Sequence, residues 1–125
     1  MQGLQLTADL RGCASGRPVM TETAALRTIC VEAVESAGLT VVGELFHRFV
    51  PAATRPGQPS GITGVVLLAE SHLAVHTWPE LDAATLDVYV CNLGADNSAR
   101  AQALMDGLVA AFAPASVERQ AHRRG

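Results

Sequence analysis

The sequence predicts an α+β fold, a two-layer α/β sandwich whose mainly antiparallel sheet carries two helices on one face, with the sheets of two copies packed together in a dimer. Three observations lead there. Stretches of period-two hydrophobicity recur along the chain, two other stretches follow a 3.6-residue period, and their order is strand, helix, several strands, helix, strand. Two helices cover only one face of such a sheet, and a second copy of the chain is the simplest cover for the other. At 125 residues the chain is the size of one domain, 1–125.

Leu4, Leu6, Ala8 and Leu10 alternate with Gln5, Thr7 and Asp9, the pattern of a half-buried strand. Gly12 and Gly16-Arg17-Pro18 break it. Over residues 23–37 the apolar set Leu26, Ile29, Cys30, Ala33, Val34 and Ala37 has helical spacing, and Gly38 supplies the stop. Residues 39–50 read as a second strand, and the proline-rich stretch 51–60 as a loop. Residues 62–78 are extended in character for seventeen positions, beyond the usual limit of about 10 for one strand, so a turn must interrupt them. The polar trio Glu70-Ser71-His72 is the expected place, with Ser71 at the bend. A strand over 85–91 follows, then a helix over 97–113 with Leu104, Leu108 and Phe112 on one face, ended by Pro114. Residues 116–120 suit an edge strand.

The balance of charge, -3, argues against nucleic acid as a partner, because such binders cluster Lys and Arg on one face. The basic stretch 119–124 reads as a solvated end. No apolar run has the length needed to cross a bilayer, and the first twenty residues lack the apolar core of a signal peptide, so a cytoplasmic location is expected. Cys13, Cys30 and Cys91 are an odd number without a CxxC pair, which suits reduced thiols better than a disulfide framework or a zinc site.

Most of the reactive chemistry lies in Leu68-Ala69-Glu70-Ser71-His72-Leu73-Ala74-Val75-His76-Thr77-Trp78-Pro79-Glu80. A serine beside a histidine suggests a hydrolase, yet the G-x-S-x-G elbow is absent. His72 and His76 have metal-ligand spacing only on a helix, no HExxH frame exists and the segment is β-rich, so no metal is expected. Taken singly, Ser71 is an ordinary turn residue, His76 a half-buried histidine and Cys91 a small buried hydrophobe.

Taken together, Glu70-Ser71-His72-Leu73 and His76-Thr77-Trp78-Pro79-Glu80 closely resemble the processing segment of the prokaryotic S-adenosylmethionine decarboxylase proenzymes, which are pyruvoyl-dependent and cleave themselves. The resemblance extends to Phe46-His47-Arg48-Phe49, Gly64-Val65-Val66 and Asp87-Val88-Tyr89-Val90-Cys91, and weakly to residues 6–13. It implies a chemistry with a clear physical need. Decarboxylating an α-amino acid leaves a carbanion at Cα, which requires an electron sink such as a carbonyl able to form a Schiff base. No side chain contains a ketone, but a chain can make one. Ser71 Oγ would attack the Glu70 carbonyl, the resulting ester would be lost by β-elimination, and residue 71 would become a covalent pyruvoyl group after loss of ammonia. The products would be a β chain, 1–70, and an α chain, 71–125.

By the same resemblance His76 transfers protons during processing, Thr63 assists it from a position where relatives have serine, and Cys91 donates the proton that completes decarboxylation. Phe49 stacks on the substrate's adenine and Glu80 accepts from its ribose hydroxyls. Val90 and Asn92 stand where Thr and Gly are common, and the loop between Phe49 and Thr63 is longer than in relatives. His72 and Trp78 read as structural, Arg48 as either a carboxylate ligand or sheet-edge cover, and Cys13 and Cys30 as core. The implied function is decarboxylation of S-adenosylmethionine to the aminopropyl donor for spermidine synthesis, by a homodimer of cleaved protomers. Two alternatives stand beside it: the same chemistry on ornithine or arginine, and a non-cleaving homologue that binds a nucleoside or regulates a partner subunit.

Overall fold

A computed structural model describes residues 2–51, 57 and 59–125. Six strands form one sheet in the order β2-β3-β4-β5-β1-β6, and every neighbouring pair is antiparallel. They are β1 (Gly3–Arg11), β2 (Val41–Arg48), β3 (Ile62–Leu68), β4 (Ser71–Trp78), β5 (Ala83–Cys91) and β6 (Ser116–Arg124). Strand β1 inserts between β5 and β6, so the first strand of the chain lies one place in from the edge formed by the last.

Strands β3 and β4 alternate strictly between buried and half-buried or exposed residues, and β5 does so until Val90 and Cys91, which are both buried. Ile62, Val66, Leu73, Val75, Leu86 and Val88 point to the buried side, where helices α2 (Thr23–Ser36) and α3 (Ser98–Phe112) lie. Helix α2 contributes Leu26, Cys30 and Val34, at i, i+4 and i+8, all fully buried. Helix α3 contributes Leu104, Met105, Leu108 and Phe112, and stops at Ala113, which adopts left-handed φ before Pro114. Truncating any of these large side chains to Ala costs about 2–5 kcal/mol. Gly64 matters here, because a Cβ at that position would collide with the Phe46 ring lying across it.

The structure departs from the sequence reading in four places. A third, short helix α1 (Pro18–Thr21) forms where Gly16-Arg17-Pro18 suggested only a break, since Pro18 occupies the first helical turn, where a missing N–H costs nothing. The turn in the long extended stretch is Ala69-Glu70, and Ser71 is the first residue of β4, paired with Leu68, so it stands beyond the bend. A two-residue hairpin keeps the Leu68 and Leu73 side chains on the core face, which settles its register. The basic end is not a solvated tail: Ser116–Arg124 pairs along all of β1 as an exposed edge strand. Strand β2 is also shorter than 39–50. Most of the expected loop, residues 52–56 and 58, lies outside the described residues.

The face away from the helices carries Thr63, Val65 and Leu67 from β3, His72, Ala74, His76 and Trp78 from β4, and Thr85, Asp87 and Tyr89 from β5. No helix of the described residues covers it. Val42, Leu45 and Leu67 are 68%, 70% and 52% exposed on or beside it, an apolar edge that invites a partner.

Candidate active site

The polar residues singled out in the sequence gather at the two ends of β4. At its start, the Glu70-Ser71 bond sits in the β3–β4 turn. Glu70 has φ +53, a left-handed conformation in which glycine or asparagine is the ordinary occupant, so strain is held next to that bond. Ser71 is buried and its Oγ accepts a hydrogen bond from the Cys91 backbone N–H at 3.2 Å. The contact follows from sheet register: His72 pairs with Tyr89, which carries the end of β5 past Ser71. Cys91 is 8% exposed, and its Sγ accepts from the Leu93 N–H at 3.4 Å.

An open groove of ≈ 520 Å³ borders this end, lined by Leu67, Glu70, Ser71, His72, Tyr89 and Arg124. His72 stacks on Tyr89 at 5.7 Å, and the Arg124 guanidinium lies 5.9 Å above the same ring. The ring has room because residue 3 is glycine, where a Cβ would meet it. Tyr89 and Arg124 escaped the sequence reading. Alternation along β5 would have put Tyr89 on the open face beside His72, but no local signal pairs it with the other end of the chain.

The far end of β4 holds the second cluster. Thr63 faces His76 across the β3–β4 ladder, and Thr63 Oγ1 lies 3.0 Å from His76 Nδ1. The extra methyl of threonine therefore leaves the hydroxyl aimed at the imidazole. That contact orients the ring and leaves Nε2 as its remaining nitrogen. Trp78 stacks on His76 at 5.6 Å. Phe49, half exposed, makes an edge contact with His47, and its N–H bonds the Gly61 carbonyl. Glu80 is exposed in the 3-10 turn Pro79–Leu81 that follows β4.

These two clusters do not meet within one chain. Ser71 and His76 are five residues apart on one strand, so about 16 Å separates them and their side chains leave opposite faces of the sheet. His72 and His76 share a face but stand about 13 Å apart, too far to share a metal ion. Cys30 is sealed in the core, and burial followed by the nearby Glu44 charge pushes its thiol up to about 12, which keeps it protonated and inert. Burial, with Asp82 nearby, also raises Cys13. Cys91 is the one of the three whose backbone touches Ser71.

Comparison with known proteins identifies the family. The family model for S-adenosylmethionine decarboxylase matches residues 4–125. The chain belongs to that family. It is 37% identical to the S-adenosylmethionine decarboxylase proenzyme of Aquifex aeolicus over 98% of this chain and 81% of that protein. The crystal structure of the adenosylmethionine decarboxylase from the same organism superposes with a TM-score of 0.82, at 36% identity, over 98% of this chain and 90% of that one. An arginine decarboxylase proenzyme from Aeropyrum pernix is 47% identical over a shorter stretch, 60% of this chain and 52% of the relative.

Proposed function

We propose that this family member cuts itself between Glu70 and Ser71 and uses the new terminus of residue 71 to decarboxylate S-adenosylmethionine. The carboxy-lyase activity and the substrate rest on the family match along nearly the whole chain. The observation that carries the processing step is the strained Glu70 φ beside a buried serine whose hydroxyl is held by one backbone donor. Ser71 Oγ is one peptide unit from the Glu70 carbonyl carbon, and attack there exchanges an amide for an ester while releasing a turn that glutamate fits badly.

Ser71 fits the role of precursor to a pyruvoyl group, since its Oγ is anchored and its backbone lines an open groove large enough for a substrate. Such a group would supply the electron-withdrawing carbonyl that condenses with the substrate amine. The chain's own side chains do the rest. Cys91, held against Ser71, returns a proton to the substrate Cα. His76, oriented by Thr63, moves the proton during cleavage. Phe49 and Glu80 hold the nucleoside end of the substrate by stacking and by accepting hydroxyl hydrogen bonds.

Because one chain keeps His76 about 16 Å from Ser71, the His76 cluster that serves one scissile bond belongs to a second copy. Two open faces packed with β4 strands running antiparallel would lay the far end of one over the start of the other. The exposed Val42, Leu45 and Leu67 support that packing. No helix of the described residues is long and apolar enough to cross a membrane, and a cytoplasmic homodimer is our reading.

Mass spectrometry under denaturing conditions tests the proposal. Wild type resolves into 1–70 and a carbonyl-blocked 71–125, and Ser71→Ala stays whole. An uncut wild-type chain after long incubation leaves the regulatory, nucleoside-binding reading in its place. The Aeropyrum pernix relative's name keeps arginine in view as a second substrate. Release of CO2 from arginine but not from S-adenosylmethionine would transfer the assignment.

A further inference from the structure

Cys91 is tied at every hydrogen-bonding group it has. Its N–H donates to Ser71 Oγ at 3.2 Å, its Sγ accepts from Leu93 N–H at 3.4 Å, and its carbonyl accepts from Asn97 Nδ2 at 2.9 Å. The last of these is the unexpected one. Asn97 is the residue immediately before α3, where an asparagine ordinarily turns its side chain onto the first free N–H groups of the helix and contributes about 1 kcal/mol. Here it makes no such bond. The capping is done one position earlier, by Asp96, whose Oδ1 accepts from the Ser98 N–H at 2.9 Å. The Asn97 amide is thereby released to face backwards, onto the strand end.

Asn92 locks that posture. Its Oδ1 accepts the Asn97 N–H at 2.8 Å, its Nδ2 donates to Ser98 Oγ at 3.1 Å, and its own N–H bonds the Gln2 carbonyl at 2.8 Å. Arg100 Nη1 holds the other side of the Asn97 amide, donating to its Oδ1 at 2.9 Å. A residue that breaks its local rule while a neighbour takes over the ordinary duty marks a place where the structure serves something other than stability. Both side-chain ties come from the Asn92 amide itself.

We infer that Asn97, braced by Asn92, is a positioning residue that aims the Cys91 thiol at the substrate Cα, and so decides which carbon receives the proton after CO2 leaves. The inference rests on the proposed role of Cys91. Two carbons compete for that proton. Delivery to the substrate Cα gives product and regenerates the enzyme. Delivery to residue 71 instead leaves the substrate's amine nitrogen on the chain: water supplies the oxygen of a released aldehyde, residue 71 becomes alanine, and that chain is dead. A misplaced thiol therefore leaves a covalent record, which loss of stability alone does not write.

The cleaved enzyme is incubated with S-adenosylmethionine, and N-terminal sequencing counts the 71–125 chains that begin with alanine per mole of CO2 released. Asn97→Asp keeps the shape and loses the donor. Asn97→Ser keeps a favourable helix-start residue but its shorter hydroxyl loses the amide's reach to the Cys91 carbonyl, and so serves if the first variant folds poorly. Either raises the alanine count per turnover about tenfold and lowers kcat with KM little changed, as expected for a group displaced by a fraction of an ångström. Asp96→Ala loses the helix cap and melts earlier, but keeps the wild-type ratio. Cys91→Ala raises the ratio at least as far as the Asn97 variants do. A wild-type ratio in both Asn97 variants, beside a raised one in Cys91→Ala, overturns the inference and leaves the role of Cys91 standing. An equal rise in Asp96→Ala overturns it as a general loosening of the helix start. No rise in Cys91→Ala removes the role of Cys91 itself, and the inference with it.

Discussion

The start of β4 and its far end are built on different principles. At the start, the backbone itself is unusual: Glu70 is held at φ +53, Ser71 is buried, and Cys91 touches it through a main-chain hydrogen bond. At the far end the features are side-chain contacts along regular strands, with Thr63 Oγ1 3.0 Å from His76 and Trp78 stacked behind it. One end stores strain and the other stores orientation. A strand is rigid and its rise is fixed, so no side-chain motion brings the two together within one sheet. The two clusters are therefore separate within one chain, and in the proposed dimer it is the open face that joins them.

The sharpest way to break this comparison is to disable each cluster in a different chain. His76→Ala alone slows cleavage by about 10²- to 10⁴-fold. Co-expressed with Ser71→Ala, which retains His76, the His76→Ala chain is cut again, because a mixed pair rebuilds one complete site. Differential tagging and a denaturing gel read the result, and an uncut mixture would place His76 and Ser71 of the same chain in one site after all.

Next in size is Leu45→Asp, which sets a charge on the apolar edge outside the groove that borders Ser71. Sedimentation should show the monomer, with cleavage slowed in step as dilution proceeds. A monomer that cuts itself at the wild-type rate would sever the link between open face and processing.

Glu80→Gln, made at the far end, sharpens the assignment of recognition to that cluster. Its KM for S-adenosylmethionine rises about tenfold, the loss of about 1.4 kcal/mol expected when a charged acceptor becomes neutral, while the extent of self-cleavage is unchanged. Smallest is Glu70→Gly, measured in the uncut Ser71→Ala background. Glycine accepts the left-handed φ freely, so the precursor gains about 1 kcal/mol and its melting temperature rises. In the Ser71 background the same change slows cutting severalfold. Faster cutting would mean that the strain plays no part.

Legibility in the sequence was uneven, for reasons that can be named. Strands β1, β3, β4 and β5 and both long helices were readable because period two and period 3.6 are local consequences of having a single core. The motif around Ser71 was readable because its residues, Glu70 to Glu80, fall within one short window of the chain. Less readable was the exact turn, where Glu70 adopts a conformation that its side chain disfavours. Core packing of Leu68 and Leu73 overrides that local preference. The short helix at Pro18 and the pairing of the basic end were missed because each is stabilised by partners distant in sequence.

By itself, then, the sequence determined the kinds of element, their order and the chemistry concentrated in 68–80, since each follows from residues near one another in the chain. Tertiary structure alone decided that β1 lies between β5 and β6, that Tyr89 and Arg124 line the groove beside the Glu70-Ser71 bond, and that Asn97 turns from its helix to Cys91. Those outcomes depend on which strand lies beside which and in what register. That choice is made by burying the whole core at once, and no short window of residues contains it.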